Sequence, residues 1–137
     1  MSLYDIWKTE RRVWAEGPQA CADHILFDAL IIPPAPMPAL TAKVLLSSTR
    51  GARPFSDVEL GARTFMQVGD TIVIRYVASA RHPRFKKRYY ARCSTTYARG
   101  GGGTWKVAAH HHTRLSRKVA QSLLTMDAML AEGEDAA

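Results

Sequence analysis

Several features that would assign a class at once are scarce or missing. Only two cysteines occur in 137 residues, Cys21 and Cys93, and neither sits in a short paired motif. That leaves no disulfide framework and fits a reducing compartment, so a cytoplasmic protein is expected. No apolar run approaches the roughly 20 residues that a membrane-spanning helix needs. The opening MSLYDIWKTERRVW carries charges throughout and lacks the apolar stretch of a secretory signal. Carboxylates are missing from a long central stretch: Thr71 to Thr113 contains no Asp or Glu. There is no internal repeat. The glycine run 100–103 lacks the Lys-Ser/Thr and following helix of a phosphate loop, and reads as a turn.

What is present is ordinary globular material, 47% hydrophobic and 23% charged, in a length that buries one core. The net charge of +7, carried mostly by arginine, is compatible with a solvated basic surface or with anionic partners.

Residues 3–16 place Leu3, Ile6, Trp7, Glu10, Arg11 and Trp14 at helical spacing, with Trp7, Arg11 and Trp14 on one face. Gly17-Pro18 ends this helix and opens a second, predicted to run to about Ala29. Leu30–Ile32 reads as a short extended edge. Four prolines between 33 and 38 then exclude helix and central strand. Thr41 caps a short third helix over 41–49. From Asp57 the pattern turns to strands: 57–67, a hairpin signal at 68–70, 71–81, 88–98 and 104–113. Val119, Leu123, Met126 and Leu130 form a stripe on a C-terminal helix. The fold class is therefore α+β: N-terminal helices packed on an antiparallel sheet, plus a C-terminal helix. One domain over 1–131 is expected, with 132–137 as a flexible tail.

WKVAAHHHTRL, residues 105–115, poses the question of facing. On strict alternation Trp105, Val107 and Ala109 point inward and His111 and Thr113 continue that face, leaving His110 and His112 outside. A bulge would exchange the two sets. An inward His111 suits general acid–base work, and equally a hydrogen-bonded structural role. His110 and His112 share a face but lack the third and fourth ligands of a closed zinc site, so no metal is expected. Tyr76 shares its face with Ile72 and Ile74. Tyr89, Cys93, Thr95 and Tyr97 share one face of their strand. Arg11, between Trp7 and Trp14, could grip a carboxylate or merely stack. The basic loop 81–88, RHPRFKKR, reads as a solvated hairpin loop or an anion patch.

The opening IWKTERRVW, the LIIPP step, FSDVEL, GDTIVIRYVASAR and the closing pair YARCSTTYARGGGGTWKVAAHHHT together resemble the nuclear-transport-factor-two-like (NTF2-like), cystatin-like superfamily. The resemblance covers residues 6–113 and is nearest to its SnoaL-like and ketosteroid-isomerase-like small bacterial domains. It implies a strongly curved, cone-shaped sheet wrapped on a helix around a mostly apolar pocket, and a homodimer formed through the sheet. The superfamily includes isomerases, cyclases, dehydratases and non-catalytic binding modules, so fold alone does not fix activity. On this basis Trp7, Arg11, Trp14, Tyr76, Cys93 and Thr95 are the expected ligand wall and His111 the expected acid–base group. A small apolar or carboxylate-bearing organic molecule is the expected ligand, with no cofactor, no membrane and no nucleic acid. A carboxylate base in the steroid-isomerase manner is not expected: Asp57 and Glu59 lie at the start of the first long strand, Glu10 lies on the first helix, Asp28 could face inward but ends the second helix, where a carboxylate is usually solvated, and the prolines of 33–38 stand where catalytic relatives often place an acid. The alternative is a non-enzymatic module docking an anionic partner through loop 81–88.

Overall fold

A computed structural model describes residues 2–48 and 52–136, with side chains described as far as residue 130. Helix α1 (Leu3–Glu16) opens with a capping box: Ser2 accepts from the Asp5 backbone N–H while the Asp5 carboxylate accepts from the Ser2 backbone. It stops at Gly17, whose φ of 90° suits a residue without a side chain. Its buried positions are Ile6, Trp7, Thr9, Glu10 and Trp14.

The expected second helix is only a 3-10 segment, Pro18–His24, broken at Cys21, and strand β1 (Ile25–Ile32) begins where that helix was to continue. The physical reason is the partner. ILFDALII is rich in β-formers, and β1 lies parallel to β6 (Trp105–Leu115), 80 residues away along the chain. The short β2 (Leu40–Thr41) adds at its edge, followed by α2 (Ala42–Ser48), capped by the Thr41 hydroxyl.

Three further long strands, β3 (Ser56–Val68), β4 (Thr71–Arg81) and β5 (Tyr89–Arg99), join β6 antiparallel. The order β2-β1-β6-β5-β4-β3 makes an open, mixed sheet of six strands. The β3–β4 register shifts twice, near Asp57 and Ala62, both at positive φ, as at β-bulges. The inner face carries Ile72, Ile74, Tyr76, Ala78, Tyr89, Cys93 and Tyr97 against Ile6, Trp7 and Trp14 of α1 in one continuous core.

Helix α3 (Arg117–Ala136) covers part of the other face. Ala120 is fully buried there, and Leu124 lies over Gly61, where an added Cβ would come within 2.7 Å of the leucine Cδ2. The helix continues past 131 to Ala136, and Ala137 lies outside the described residues. Among the described residues no helix is long and apolar enough to cross a membrane.

Candidate functional site

The facing of the three histidines follows from one extra residue. Thr96 pairs with Ala109 but Tyr97 pairs with Val107, so β6 spends two residues where β5 spends one, with Ala108 bulged between. Beyond the bulge His110 lies opposite Thr95 and His112 opposite Cys93, on the inner face, while His111 lies opposite Ser94 and is exposed. The strict-alternation expectation for His111 is thus reversed.

His110 and His112 line a cavity of about 490 Å³ between α1, β1, α2, the sheet and the loops at 52–55 and 82–85. Its walls are largely apolar and aromatic: Trp14, Ile25, Ile31, Leu45, Phe55, Phe85, Tyr89 and Val107. Trp14 meets Phe55 edge-on at 5.0 Å, and Phe85 stacks on Tyr89 at 5.4 Å. The mouth is held by His82, whose Nδ1 accepts from the Arg84 backbone N–H, so Nε2–H donates to the Arg53 carbonyl at 2.8 Å. Arg53 and Arg84 stand at this mouth.

At the bottom sits Glu10, 2% exposed; His110 Nδ1 lies 3.7 Å from its Oε2, and among the described residues no lysine or arginine pairs with it. Its partners are hydroxyls. Tyr97 donates to Oε1 at 2.8 Å. Thr95 donates to Oε2 at 2.7 Å. Tyr76 donates to the same oxygen in a short bond, and itself accepts from Trp14 Nε1–H at 3.0 Å. Burial pushes the Glu10 carboxyl upward, against the three donated hydrogen bonds that favour its charged form. Burial and the neighbouring Glu10 raise Tyr76 and Tyr97. Thr95 Oγ1 also lies 2.7 Å from His110 Nδ1. With Glu10 ionised, the single hydrogen of the Thr95 hydroxyl goes to Glu10, and Nδ1–H of His110 donates to Thr95. That leaves Nε2 of His110 as the free, basic nitrogen. Burial, with His111 adding, lowers His110 to about 4, so it is neutral at physiological pH. Beside it Tyr89 and His112 Nε2 share a hydrogen bond of 2.6 Å. Burial holds His112 at about 3 and pushes Tyr89 up to about 12.

The other expected wall residues divide. Trp14 and Thr95 line the cavity. Tyr76 and Cys93 lie buried behind it, Tyr76 on Glu10. Trp7 packs edge-on against Tyr76 at 5.9 Å, in the core and away from the cavity. Arg11 is exposed and away from the cavity; the residue that α1 turns inward between the two tryptophans is Glu10. The spacing Trp7, Glu10, Trp14 (i, i+3, i+7) carried that signal, masked by the charged run Glu10-Arg11-Arg12.

One ligand atom each from Cys93, His110 and His112 falls within 4.8 Å of the others. A tetrahedral site holds such atoms about 3.5 Å apart. Thr95 and Tyr89 already hold one nitrogen of each ring.

No protein-family model matches the chain, and no curated protein does. Solved structures do. A protein from Parabacteroides distasonis, named as a candidate ketosteroid isomerase, superposes with a TM-score of 0.70 at 14% identity, over 82% of this chain and 87% of its own. An NTF2-like protein from Cytophaga hutchinsonii gives 0.68 at 18%, over 84% of this chain and 100% of its own. A protein with a cystatin-like fold from Caulobacter vibrioides gives 0.63 at 11%, over 88% and 92%. The chain has the NTF2-like, cystatin-like fold. At these identities the likeness concerns fold alone, and the chemistry has to be read from the cone's own side chains.

Proposed function

We propose that the cone binds a small, mostly apolar organic molecule and moves a proton on it, in the manner of an isomerase or dehydratase. The observation that carries this reading is Thr95 Oγ1, 2.7 Å from Glu10 Oε2 and 2.7 Å from His110 Nδ1. A histidine lowered to about 4 is by itself a weak base. The Thr95 bridge removes that handicap. A substrate proton taken at His110 Nε2 releases the Nδ1 proton to Thr95, and the Thr95 proton passes to Glu10 Oε2. The base that finally holds the proton is a carboxylate whose affinity burial has raised. The electron pair of the broken C–H bond moves onto the substrate's carbonyl oxygen. The Tyr89–His112 pair on the same wall supplies a donor for that oxygen or for a departing hydroxyl. Reversal of the chain returns the proton to a different carbon. Arg53 and Arg84 at the mouth would hold a carboxylate end, the role Arg11 was expected to fill. His111 has no part in this chemistry.

The candidate-isomerase name of the P. distasonis structure suggests the probes: cyclic β,γ-unsaturated ketones and β-hydroxy ketones, both followed by the absorption of the conjugated enone. Turnover is expected in the parent protein and in His111→Asn, with losses of about 100-fold or more in Glu10→Gln and His110→Asn. No turnover of any probe, or equal turnover in all four proteins, contradicts the reading.

A further inference from the structure

Loop 82–88 has a second side. Its apolar and mouth residues face the cone, but Arg81, Lys86, Lys87 and Arg88 turn away and meet Arg114 and Arg117 around a separate recess of about 800 Å³. Tyr90, Leu115 and Ser116 complete its lining, and among the described residues no carboxylate lines it. Two of the six cations are answered nearby: Asp57 lies 2.7 Å from Arg88 and 3.8 Å from Arg81. Arg114 stacks its guanidinium over Phe85 at 4.7 Å and Tyr89 at 5.1 Å and has no ion-pair partner among the described residues. Lys86, Lys87 and Arg117 have no ion-pair partner among the described residues. Four like charges from three chain segments thus converge on one concavity, beside the start of α3, where the Ser116 hydroxyl caps the Val119 N–H. Mutual repulsion makes such a cluster costly unless an anion occupies it.

We propose that this recess binds a compact polyphosphate group of the kind carried by nucleoside triphosphates. Four unanswered cations match the roughly four negative charges of a triphosphate, and arginine forks suit phosphate oxygens. Arg114, stacked on two rings, is held in place before any ligand arrives. A nucleic-acid strand fits less well. It needs a track of cations with successive aromatic platforms, and here the charges point to one spot with a single ring, Tyr90, in the lining. The recess adjoins the cone through Arg114, which stacks on Tyr89 of the cone wall, but it does not rest on the chemistry proposed there, and either reading can fail without the other.

The test is titration calorimetry on the intact protein with inorganic tripolyphosphate, orthophosphate and a 12-nucleotide single strand. Saturable one-to-one binding of tripolyphosphate is expected, at least about tenfold tighter than orthophosphate, weakening with salt as cation–phosphate contacts do. Arg114→Gln and Lys87→Gln should each lower the affinity by about tenfold. Lys106→Gln, a cation elsewhere on the surface, should leave it unchanged, and all three variants should keep the parent's thermal unfolding midpoint. No saturable binding overturns the proposal. So do equal losses in Lys106→Gln and the recess variants, or an oligonucleotide that binds more tightly than tripolyphosphate.

Discussion

The two faces of β6 give neighbouring residues of one kind opposite fates. His110 and His112 stand in a cavity walled by Trp14, Phe55 and Tyr89, and burial holds them neutral well below the ordinary histidine range. His111, between them, faces solvent. Carboxylates show the same contrast. Glu10 is held by three hydroxyls in a buried position, while Asp57 is held by two guanidiniums at the surface. Side-chain type decides little here, and the partner and its access to water decide the chemistry.

The sharpest way to break this contrast is to empty the Glu10 position. Glu10→Ala leaves the hydroxyls of Tyr76, Thr95 and Tyr97 buried without their acceptor, and should lower stability by about 3 kcal/mol or more in urea unfolding. The surface position Glu59→Ala should shift the midpoint far less. Equal losses at both positions would remove the distinction between the two carboxylates.

Acid should separate the histidines next. Above pH 6.5 His110 and His112 are neutral folded and unfolded, and their full contribution is present. As pH falls the unfolded chain takes up protons first, and stability drains away down to about 4 for His110 and about 3 for His112. Glu10 has the opposite sign, because its raised folded value lets the native state take its proton first, which offsets part of the loss. A net fall in stability between pH 7 and 4.5, read from urea unfolding at each pH, is expected. His112→Asn should flatten that slope far more than His111→Asn, since burial outweighs the charge contribution of His111 to the lowering of both rings. A slope that follows His111 instead would contradict the facing of the strand.

The smallest expected effect lies on the outer face. Gly61→Ala brings a Cβ against Leu124 Cδ2, the mobile end of a side chain, and should cost about 1 kcal/mol while displacing α3 and leaving the cone unchanged. Ligand binding in the cone altered as strongly as stability would show that the two faces are coupled.

Much of the architecture was legible because the patterns are local. The α1 stripe, the hairpin signal at Val68–Asp70 and the β-rich runs each name their element within a dozen residues. β1 was not, since ILFDALII becomes a strand through a partner far along the chain. The bulge at Ala108 has no local marker, as Val-Ala-Ala-His fits a regular strand equally well, and that one residue reversed the histidines. Glu10 was hidden by its arginine neighbours. The recess joins loop 81–88, visible as a basic run, to Arg114 and Arg117, which only folding brings to it.

The central claim is the hydrogen-bond polarity from His110 through Thr95 to Glu10. Long-range proton–nitrogen spectra of the protein labelled with ¹⁵N-histidine test it most directly, with His110→Asn assigning the signal. The account predicts a neutral His110 ring at pH 7, with its proton on Nδ1 and a bare Nε2. A ring protonated on Nε2 alone, or on both nitrogens at pH 7, would contradict it.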